Sequence, residues 1–515
     1  MKITSILVAA FLASVCARGA AESKQPYATP RFIETDRRAK VDAVLPQIDK
    51  AFRDAAAQRK YPGLVWGIVL DGELVHSGAA GFANVEKKIP ATADTRFRIA
   101  SMTKSFTALA ILKLRDAGKL GLADPVEKFL PEFRKVAPLT VDAPPITVRH
   151  LLTMTPGFPE DNPWGDRQLA VSIKDFSAFI AGGVSLSNAP GIAFEYSNLA
   201  FALLGQIISR ISGEPYQRYI TREILGPLGM KDTVWEFNDV PVAKLALGYR
   251  LEKDGWRLEP LLHDGTYGAM GGLLTTINDF ARYVSFHLSA WPARNDADNG
   301  IVRRASVREM QKPAEFANLS ADTKNRAGEL VPSVGAYGYG LSWQNDSKGV
   351  VRVGHGGGLP GFGSYYLFYP DYGFAVISFA NLTYAGTAAA TGRVGAILIE
   401  DAKLPRRELP PSTILETRKR QIAELIQSWD PKLADAIVAE NFFPDRSREA
   451  WATLSRETLA KAGAIKSVGA MTPQNQLRGT FSLVGENGLV NVFFTLTPEI
   501  DPRVQQLRLT FVAKP

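Results

Sequence analysis

Ser101 and Lys104 are the first residues of this sequence whose types and spacing suggest chemistry. They lie three apart at the start of the stretch 98–112, whose body is apolar enough for a buried helix. Because three residues make almost one helical turn, both side chains project from the same face. A lysine that loses its charge on burial activates a neighbouring serine hydroxyl as a nucleophile. The alternative is that Ser101 caps the helix and Lys104 is solvated.

Tyr196 and Asn198 form a second polar pair, in the segment 194–199 after the Pro190-Gly191 turn. Two residues that are two apart in a loop can point the same way. We expect a nearby lysine ammonium to lower the pKa of the phenol, so that Tyr196 serves as general base and then as acid. The alternative is a core tyrosine beside an asparagine that caps the following helix.

His355 lies among four glycines in the segment 353–363, at the end of a strand-like run. Glycines let a substrate backbone approach closely, and their N–H groups can face a developing oxyanion. The alternative is a flexible loop with an incidental histidine.

Three other kinds of protein fit the sequence poorly. A His-Gly-Gly-Gly oxyanion motif of α/β-hydrolases precedes a Gly-x-Ser-x-Gly elbow, and this sequence has none. A zinc hydrolase needs clustered ligands, whereas the five histidines are scattered. The net charge of +8 is spread thinly and forms no basic stripe with aromatics, which disfavours nucleic-acid binding. We therefore expect no metal, no cofactor and no nucleic-acid partner.

The chain is long enough for two domains. Early and late strand-like runs enclose a series of helical patterns over 38–404, which predicts an α/β fold, a sheet flanked by helices with a helical subdomain; the family resemblance described below implies that the sheet is antiparallel. The early strands are expected at 64–70 and 73–77, joined by an Asp-Gly hairpin turn, and the late ones at 350–353, 364–369 and 374–379.

A proline-rich linker is expected at 405–412, followed by a small accessory α+β roll over 413–515. Its helices are predicted at 413–429, 431–440 and 447–462, and its strands at 476–484, 489–496 and 504–512. The roll contains no histidine, which favours an accessory or dimerising role.

The segment 1–21 has the charge and apolar pattern of a secretory signal peptide, so we expect a secreted, periplasmic protein. Cys16, the only cysteine, lies in this segment, and Val15 before it fits a lipoprotein signal poorly. The mature chain is then expected to have no thiol, and no apolar run after residue 21 is long enough to span a membrane.

Taken in order, three motifs resemble those of the serine β-lactamase and penicillin-binding protein superfamily: Ser101-Met102-Thr103-Lys104, Tyr196-Ser197-Asn198 and His355-Gly356-Gly357. The sequence is similar above all to class C β-lactamases, family VIII esterases and D-amino-acid-specific peptidases, over roughly residues 40–400. The segments 150–153 and 271–275 match as well.

The resemblance implies a role for each position. Ser101 is expected to be the acylated nucleophile, Lys104 its activating partner, and Tyr196 the general base and leaving-group acid. Asn198 is expected to orient the substrate amide. The oxyanion hole is expected to consist of the N–H groups of Ser101 and Gly358, with Gly357 beside it in the third motif.

His355 stands where many relatives carry a lysine, and is expected to recognise a carboxylate or to aid proton transfer. Because a histidine is only partly charged near neutral pH, a histidine in place of this lysine makes β-lactams less favoured as substrates.

The sequence thus predicts a secreted serine hydrolase that acts as a peptidase or amidase on short or linear peptides, including peptides of D- or non-standard residues. The alternatives are a carboxylesterase or weak β-lactamase, and a peptidoglycan-fragment sensor that acylates without turnover. The expected partners are a small peptide or ester substrate and a second copy of the chain, bound through the C-terminal domain.

Overall fold

The structure, a computed structural model, describes residues 27–514. The predicted signal peptide and Cys16 therefore lie outside the described residues. The chain divides into two compact units, of which one spans Arg31–Glu408 and the other contains residues 27–30 and 409–514. No helix among residues 27–514 is long and apolar enough to cross a membrane.

The larger unit is built on a nine-stranded antiparallel sheet with the order β3-β2-β1-β13-β12-β11-β10-β9-β8. Four further short strands, β4 to β7, form two separate pairs. The thirteen strands are β1 Gly63–Leu70, β2 Glu73–Asn84, β3 Ile89–Pro90, β4 Phe97–Arg98, β5 Tyr249–Glu252, β6 Gly255–Leu258, β7 Leu274–Thr275, β8 Glu315–Ser320, β9 Ser333–Tyr337, β10 Ser342–Asp346, β11 Val351–Leu359, β12 Phe362–Tyr369 and β13 Phe374–Ala380.

Ten α-helices belong to this unit. They are α1 Arg37–Arg59, α2 Thr103–Asp116, α3 Val148–Leu152, α4 Ile173–Ala181, α5 Asn198–Ser212, α6 Tyr216–Ile220, α7 Gly268–Gly271, α8 Ile277–Ser289, α9 Arg304–Met310 and α10 Ala388–Glu400. Helices α1 and α10 pack together on one face of the sheet, and α8 packs on β1 and β13. The helical subdomain is centred on α2 and α5, whose apolar residues are almost completely buried. This arrangement confirms the predicted α/β fold class.

The hairpin predicted at Asp71-Gly72 joins β1 and β2, and both turn residues have positive φ, 50° and 91°. That combination is the one that lets a two-residue turn follow the twist of its strands. Strand β1 also pairs with β13 from Leu64 to Leu70, which places the early and late segments side by side. The sequence patterns missed β8, β9 and β10, and they ended the strand of the third motif at 353, whereas β11 continues through the glycines to Leu359.

The smaller unit has four helices, α11 Thr413–Ser428, α12 Pro431–Ile437, α13 Phe442–Asp445 and α14 Arg448–Ala462. Its five strands are β14 Ile465–Val468, β15 Thr472–Asn475, β16 Arg478–Gly485, β17 Gly488–Leu496 and β18 Val504–Ala513, in the order β14-β16-β17-β18 with β15 also paired to β16. One face of the sheet buries Phe481, Val492 and Phe494 against the helices. This is the expected α+β arrangement, with two short strands and one short helix that the patterns did not predict.

Candidate active site

Ser101 lies in the 3-10 turn Ala100–Met102, which directly precedes helix α2 at Thr103. The preceding Ala100 has a φ of 52°, a left-handed conformation that costs a residue with a side chain about 1–2 kcal/mol. Ser101 is 7% exposed, and the residue that caps α2 is Met102, which makes no side-chain capping bond. The hydroxyl of Ser101 is therefore not used as a helix cap and stays available for chemistry.

Lys104 is completely buried, so the alternative of a solvated lysine does not hold. Its Nζ lies 3.0 Å from Ser101 Oγ, 2.7 Å from Asn198 Oδ1 and 3.1 Å from the carbonyl oxygen of Met270. Burial lowers the pKa of Lys104 from its ordinary value to about 7, against the opposing effect of two nearby carboxylates, Asp166 and Asp161. The uncharged form of the Lys104 amine is therefore populated near neutral pH.

The three contacts of Lys104 fit the uncharged amine. The oxygens of Asn198 and Met270 can only accept hydrogen bonds, so they take the two N–H groups that a neutral amine has. The charged lysine donates to its third neighbour, Ser101 Oγ, whereas the uncharged amine can accept the hydroxyl proton of Ser101 across the same 3.0 Å contact. In this form the lysine can take the proton of the serine hydroxyl.

Asn198 is the first residue of helix α5, and the residue that caps this helix is Ser197, whose side chain accepts from the Ala200 N–H. The capping alternative for Asn198 therefore does not hold. Its side chain is completely buried, and its Nδ2 donates to Asn162 Oδ1 at 2.7 Å and to Asp166 Oδ1 at 3.3 Å. These bonds and the one from Lys104 occupy both ends of the amide, which makes Asn198 a residue that positions the lysine. The expected role toward a substrate amide is not visible in this geometry.

Two aspartates of the loop before α4 lie next to Asn198 and help to hold it in place. Sequence reasoning missed both. Asp161 accepts hydrogen bonds from the N–H groups of Asn198 and Leu199 at 2.7 and 2.8 Å, which satisfies the start of α5. Asp166 is 2% exposed, and burial raises the pKa of both carboxyl groups. The signal in the sequence was a loop with three acidic residues and an asparagine within seven positions.

Tyr196 is partly buried, and its hydroxyl interacts with that of Ser101. The Lys104 ammonium position lies 4.9 Å from the centre of its ring. Burial raises the pKa of Tyr196 well above its ordinary value, the opposite of the direction expected from the sequence. The expectation was wrong because burial, which disfavours the charged phenolate, outweighs the effect expected from the neighbouring lysine. Tyr196 is therefore a proton donor in the resting site.

His355 is 4% exposed, and both of its ring nitrogens have partners. Nδ1 lies 2.5 Å from the carbonyl oxygen of Gly356 and so carries the proton, while Nε2 lies 2.9 Å from the hydroxyl of Tyr337 and accepts from it. Burial, with the charge of Lys104 as a second cause, lowers the pKa of His355 to about 3. The imidazole is thus neutral near pH 7, a state that does not favour recognition of a carboxylate by charge.

Gly357 and Gly358 bring strand β11 against the turn that carries Ser101. A Cβ atom on Gly357 would lie 2.2 Å from the carbonyl oxygen of Ile99, to which Ser364 Oγ also donates at 2.8 Å. Only a glycine lets the strand approach this closely. The pairing of β11 with β10 ends at Gly354, so the edge of β11 from His355 onward lies beside the Ser101 turn rather than beside a strand.

The site therefore combines a buried serine, a lysine with a pKa of about 7, a protonated tyrosine and a glycine-rich strand edge. A serine next to an uncharged amine is the arrangement that nucleophilic acyl transfer requires. Among residues 27–514, no group of histidine, cysteine or acidic side chains is arranged to hold a metal ion.

A family model described as Beta-lactamase matches residues 48–399. The match covers well over half of the chain, and the chain belongs to this family of beta-lactamase-like serine hydrolases. The resemblance read from the three motifs is thereby confirmed.

Among curated proteins, the chain is similar to Protein flp of Staphylococcus aureus strain N315, with 31% identity over 342 residues. The alignment covers 65% of this chain and 63% of Protein flp, so the chain spans less than two thirds of that protein. It is also similar to Esterase EstB of Burkholderia gladioli, with 34% identity over 200 residues, which are 36% of this chain and 50% of the esterase.

Two solved structures share the fold. The octameric penicillin-binding protein homologue from Pyrococcus abyssi has a TM-score of 0.60 and 23% identity, covering 90% of this chain and 99% of its own. A penicillin binding protein from Bacillus halodurans has a TM-score of 0.53 and 24% identity, covering 67% and 98%. At these identities the two structures establish the fold alone.

Proposed function

We propose that this protein hydrolyses esters and amides through an acyl-enzyme on Ser101. The observation that carries the proposal is the contact of Ser101 Oγ with the buried Lys104 amine, whose other two neighbours are hydrogen-bond acceptors. Membership of a serine hydrolase family supports the same chemistry.

The reaction follows from the proton positions. Ser101 Oγ attacks the substrate carbonyl carbon while its proton moves to Lys104 Nζ, and the carbonyl oxygen becomes an oxyanion. The N–H groups of Ser101 and Gly358 stabilise that charge. As the bond to the leaving group breaks, Tyr196 donates its proton to the leaving nitrogen or oxygen and regains one from Lys104. Water then attacks the acyl-enzyme in the same way, which frees the acid and restores Ser101.

For the substrate, we propose a short peptide, including peptides with D- or non-standard residues. The neutral state of His355 supports the view that β-lactams, which carry a carboxylate, are poor substrates. A carboxylesterase is the second candidate, favoured by the similarity to Esterase EstB and by the absence of charge on His355.

The test is mass spectrometry of the full protein after brief exposure to a 4-nitrophenyl ester, a β-lactam and a pool of short L- and D-peptides, with Ser101→Ala in parallel. We expect a Ser101-dependent adduct and a consumed pool member, and that member identifies the acyl group. Hydrolysis that persists in Ser101→Ala would overturn the mechanism. An adduct that forms and never hydrolyses would favour the sensor alternative, and consumption of esters alone would favour the esterase.

Export and self-association are proposals as well. We propose that segment 1–21 directs secretion to the periplasm and that the C-terminal unit mediates dimer formation. Cell fractionation of the full chain checks the first, and light scattering of the purified protein with and without residues 409–515 checks the second. A protein retained in the cytoplasm, or a mass unchanged by the deletion, would overturn the respective proposal.

A further inference from the structure

A hydrogen bond between Tyr384 and Asp166 connects the two sides of the active site. The Tyr384 hydroxyl donates to Asp166 Oδ2 at 3.0 Å, although the two residues are 218 positions apart. Tyr384 follows strand β13 and so belongs to the sheet side. Asp166 lies in the 3-10 turn Gly165–Arg167, which belongs to the helical side and contacts strand β11.

The Asp166 end of this bond is firmly held. The carboxylate is 2% exposed, and its other oxygen accepts from Asn198 Nδ2, the amide that also binds Lys104. Gly165 makes this possible, because a Cβ atom there would lie 2.8 Å from Asn198 Cβ. A buried carboxylate with two such partners gives the Tyr384 hydroxyl a fixed acceptor.

The Tyr384 end is strained and partly exposed. Its φ is 50°, in the left-handed region that is unfavourable for a residue with a side chain, and 43% of its surface is open to solvent. Its ring lies against Gly358, where a Cβ atom would meet Tyr384 Cδ1 at 2.8 Å. Strained residues of this kind persist where surrounding contacts hold them, and they cluster at binding sites.

The ring occupies a position that matters for substrate length. Beyond Gly354, no strand of the described chain pairs with the edge of β11 that lies beside the Ser101 turn, so an extended substrate can lie along this edge. Gly358 is near the end of this edge, and the side chain of Tyr384 reaches from there to Asp166 on the opposite side. A substrate group that continues past Gly358 meets the tyrosine ring.

We propose that Tyr384, held by Asp166, is a specificity-determining residue that closes the site beyond Gly358 and restricts the enzyme to substrates that are short on that side. The inference rests on the proposed function and adds a size limit to it. A substrate that fits this size limit has a free, small or terminal group at that end, as a short peptide or a small ester does.

Two substrate series test the limit on the full protein: 4-nitrophenyl esters from acetate to octanoate, which vary the acyl chain, and acetate esters of alcohols of increasing length, which vary the leaving group. For Tyr384→Ala we expect the ratio of kcat/KM for the longest to the shortest member to rise about tenfold or more in one series. Tyr384→Phe keeps the ring and loses its bond, so a smaller rise is expected.

Two variants serve as controls. Phe316→Ala removes an exposed aromatic, 64% open against 43% for Tyr384, from the far edge strand of the sheet, and its length ratios should match the wild type. Asp166→Asn keeps an acceptor oxygen for Tyr384 and removes a charge that raises the pKa of Lys104, so the length ratios should persist while the acid limb of the pH profile moves to lower pH.

Length ratios for Tyr384→Ala within about twofold of the wild type in both series would overturn the inference, since a single methylene already changes discrimination by more than this. Melting curves show whether each variant is folded, and Tyr384→Phe supplies the comparison if Tyr384→Ala is not. Ser101→Ala separates this failure from that of the proposed function. If Ser101→Ala is inactive while Tyr384→Ala keeps the length ratios of the wild type, only the size limit is wrong and the proposed function stands.

Discussion

Asn198 Oδ1 lies 2.7 Å from Lys104 Nζ, the shortest of the three contacts around the buried amine. The bond joins the start of helix α5 to the first turn of helix α2, so the second motif holds the lysine of the first. The charge of the residue at position 198 should therefore set the proton affinity of Lys104.

Asn198→Asp tests this coupling. A carboxylate in place of the amide favours the charged lysine and should raise its pKa by about one unit or more, so that activity at neutral pH falls. The pH profile of kcat/KM measures the shift, with Asn162→Asp as a more distant and exposed control whose shift should be smaller. An acid limb that stays in place for Asn198→Asp would contradict the coupling.

The pH profile of kcat/KM for the wild type should have its acid limb, the range in which activity rises with pH, near neutral pH. In the proposed mechanism the uncharged amine accepts the serine proton. Since the pKa of Lys104 is about 7, kcat/KM should rise as the pH increases through that value. His355, with a pKa of about 3, should add no second limb near neutrality. Lys104→Arg keeps a permanent charge and should lower kcat by about a thousandfold, within the range known for general bases. A rate that decreases through pH 7 would mean that the charged lysine is the active form.

Tyr196→Phe should affect amides more than activated esters. The raised pKa keeps the phenol protonated, and only a poor leaving group needs its proton. We expect turnover of an amide to fall by about a hundredfold and that of a matching 4-nitrophenyl ester by about tenfold or less. Equal losses for both substrates would assign Tyr196 to the attack on the carbonyl instead.

His355→Lys should change both charge and specificity. An added ammonium near Lys104 disfavours a second charge, so the acid limb should move to lower pH, and substrates with a carboxylate should gain relative to their neutral analogues. Tyr337→Phe, which removes only the donor to Nε2, is the uncharged control. Unchanged preference for carboxylates in His355→Lys would mean that position 355 does not contact that part of the substrate.

Gly357→Ala should destabilise the protein, because the added methyl would overlap the Ile99 carbonyl and the Ser364 hydroxyl. Such overpacking typically costs about 1–3 kcal/mol. Gly392→Ala is the matched control: it lies within helix α10, where the added methyl meets nothing within 4 Å beyond the local backbone of its own helix, and should stabilise by about 0.5–1 kcal/mol. Urea unfolding of both variants measures the two free energies. A Gly357→Ala variant as stable as the wild type would show that β11 can move away from the Ser101 turn.

Sequence patterns predicted correctly those features that depend on residues close together in the sequence. The Asp71-Gly72 turn follows from the positive φ that its two residues tolerate, and Ser101 and Lys104 are close in space because they are close in sequence. Motif order supplied the rest of the cluster, since Asn198 does reach Lys104 and Tyr196 does reach Ser101.

The remaining features depend on contacts between distant segments. The Tyr384 bond to Asp166 and the Tyr337 bond to His355 each join different elements. Neither bond is indicated by a short spacing of residues in the sequence. The direction of the Tyr196 pKa was mispredicted because burial outweighs the neighbouring lysine, and burial is a property of the folded site. Strands β8 to β10 were missed because they are only partly buried and lack a regular apolar alternation.

The pairing of β1 with β13 also determines when the site can form during synthesis. Strand β1 leaves the ribosome early, while its partner Phe374–Ala380 follows after the whole helical subdomain and the strand with the third motif. Until then, one edge of a completely buried, apolar strand is unpaired and open to wrong partners. Contacts this distant in sequence also slow folding. The nascent protein therefore has a long period in which the turn with Ser101 exists without strand β11, and in which folding depends on protection of the β1 edge.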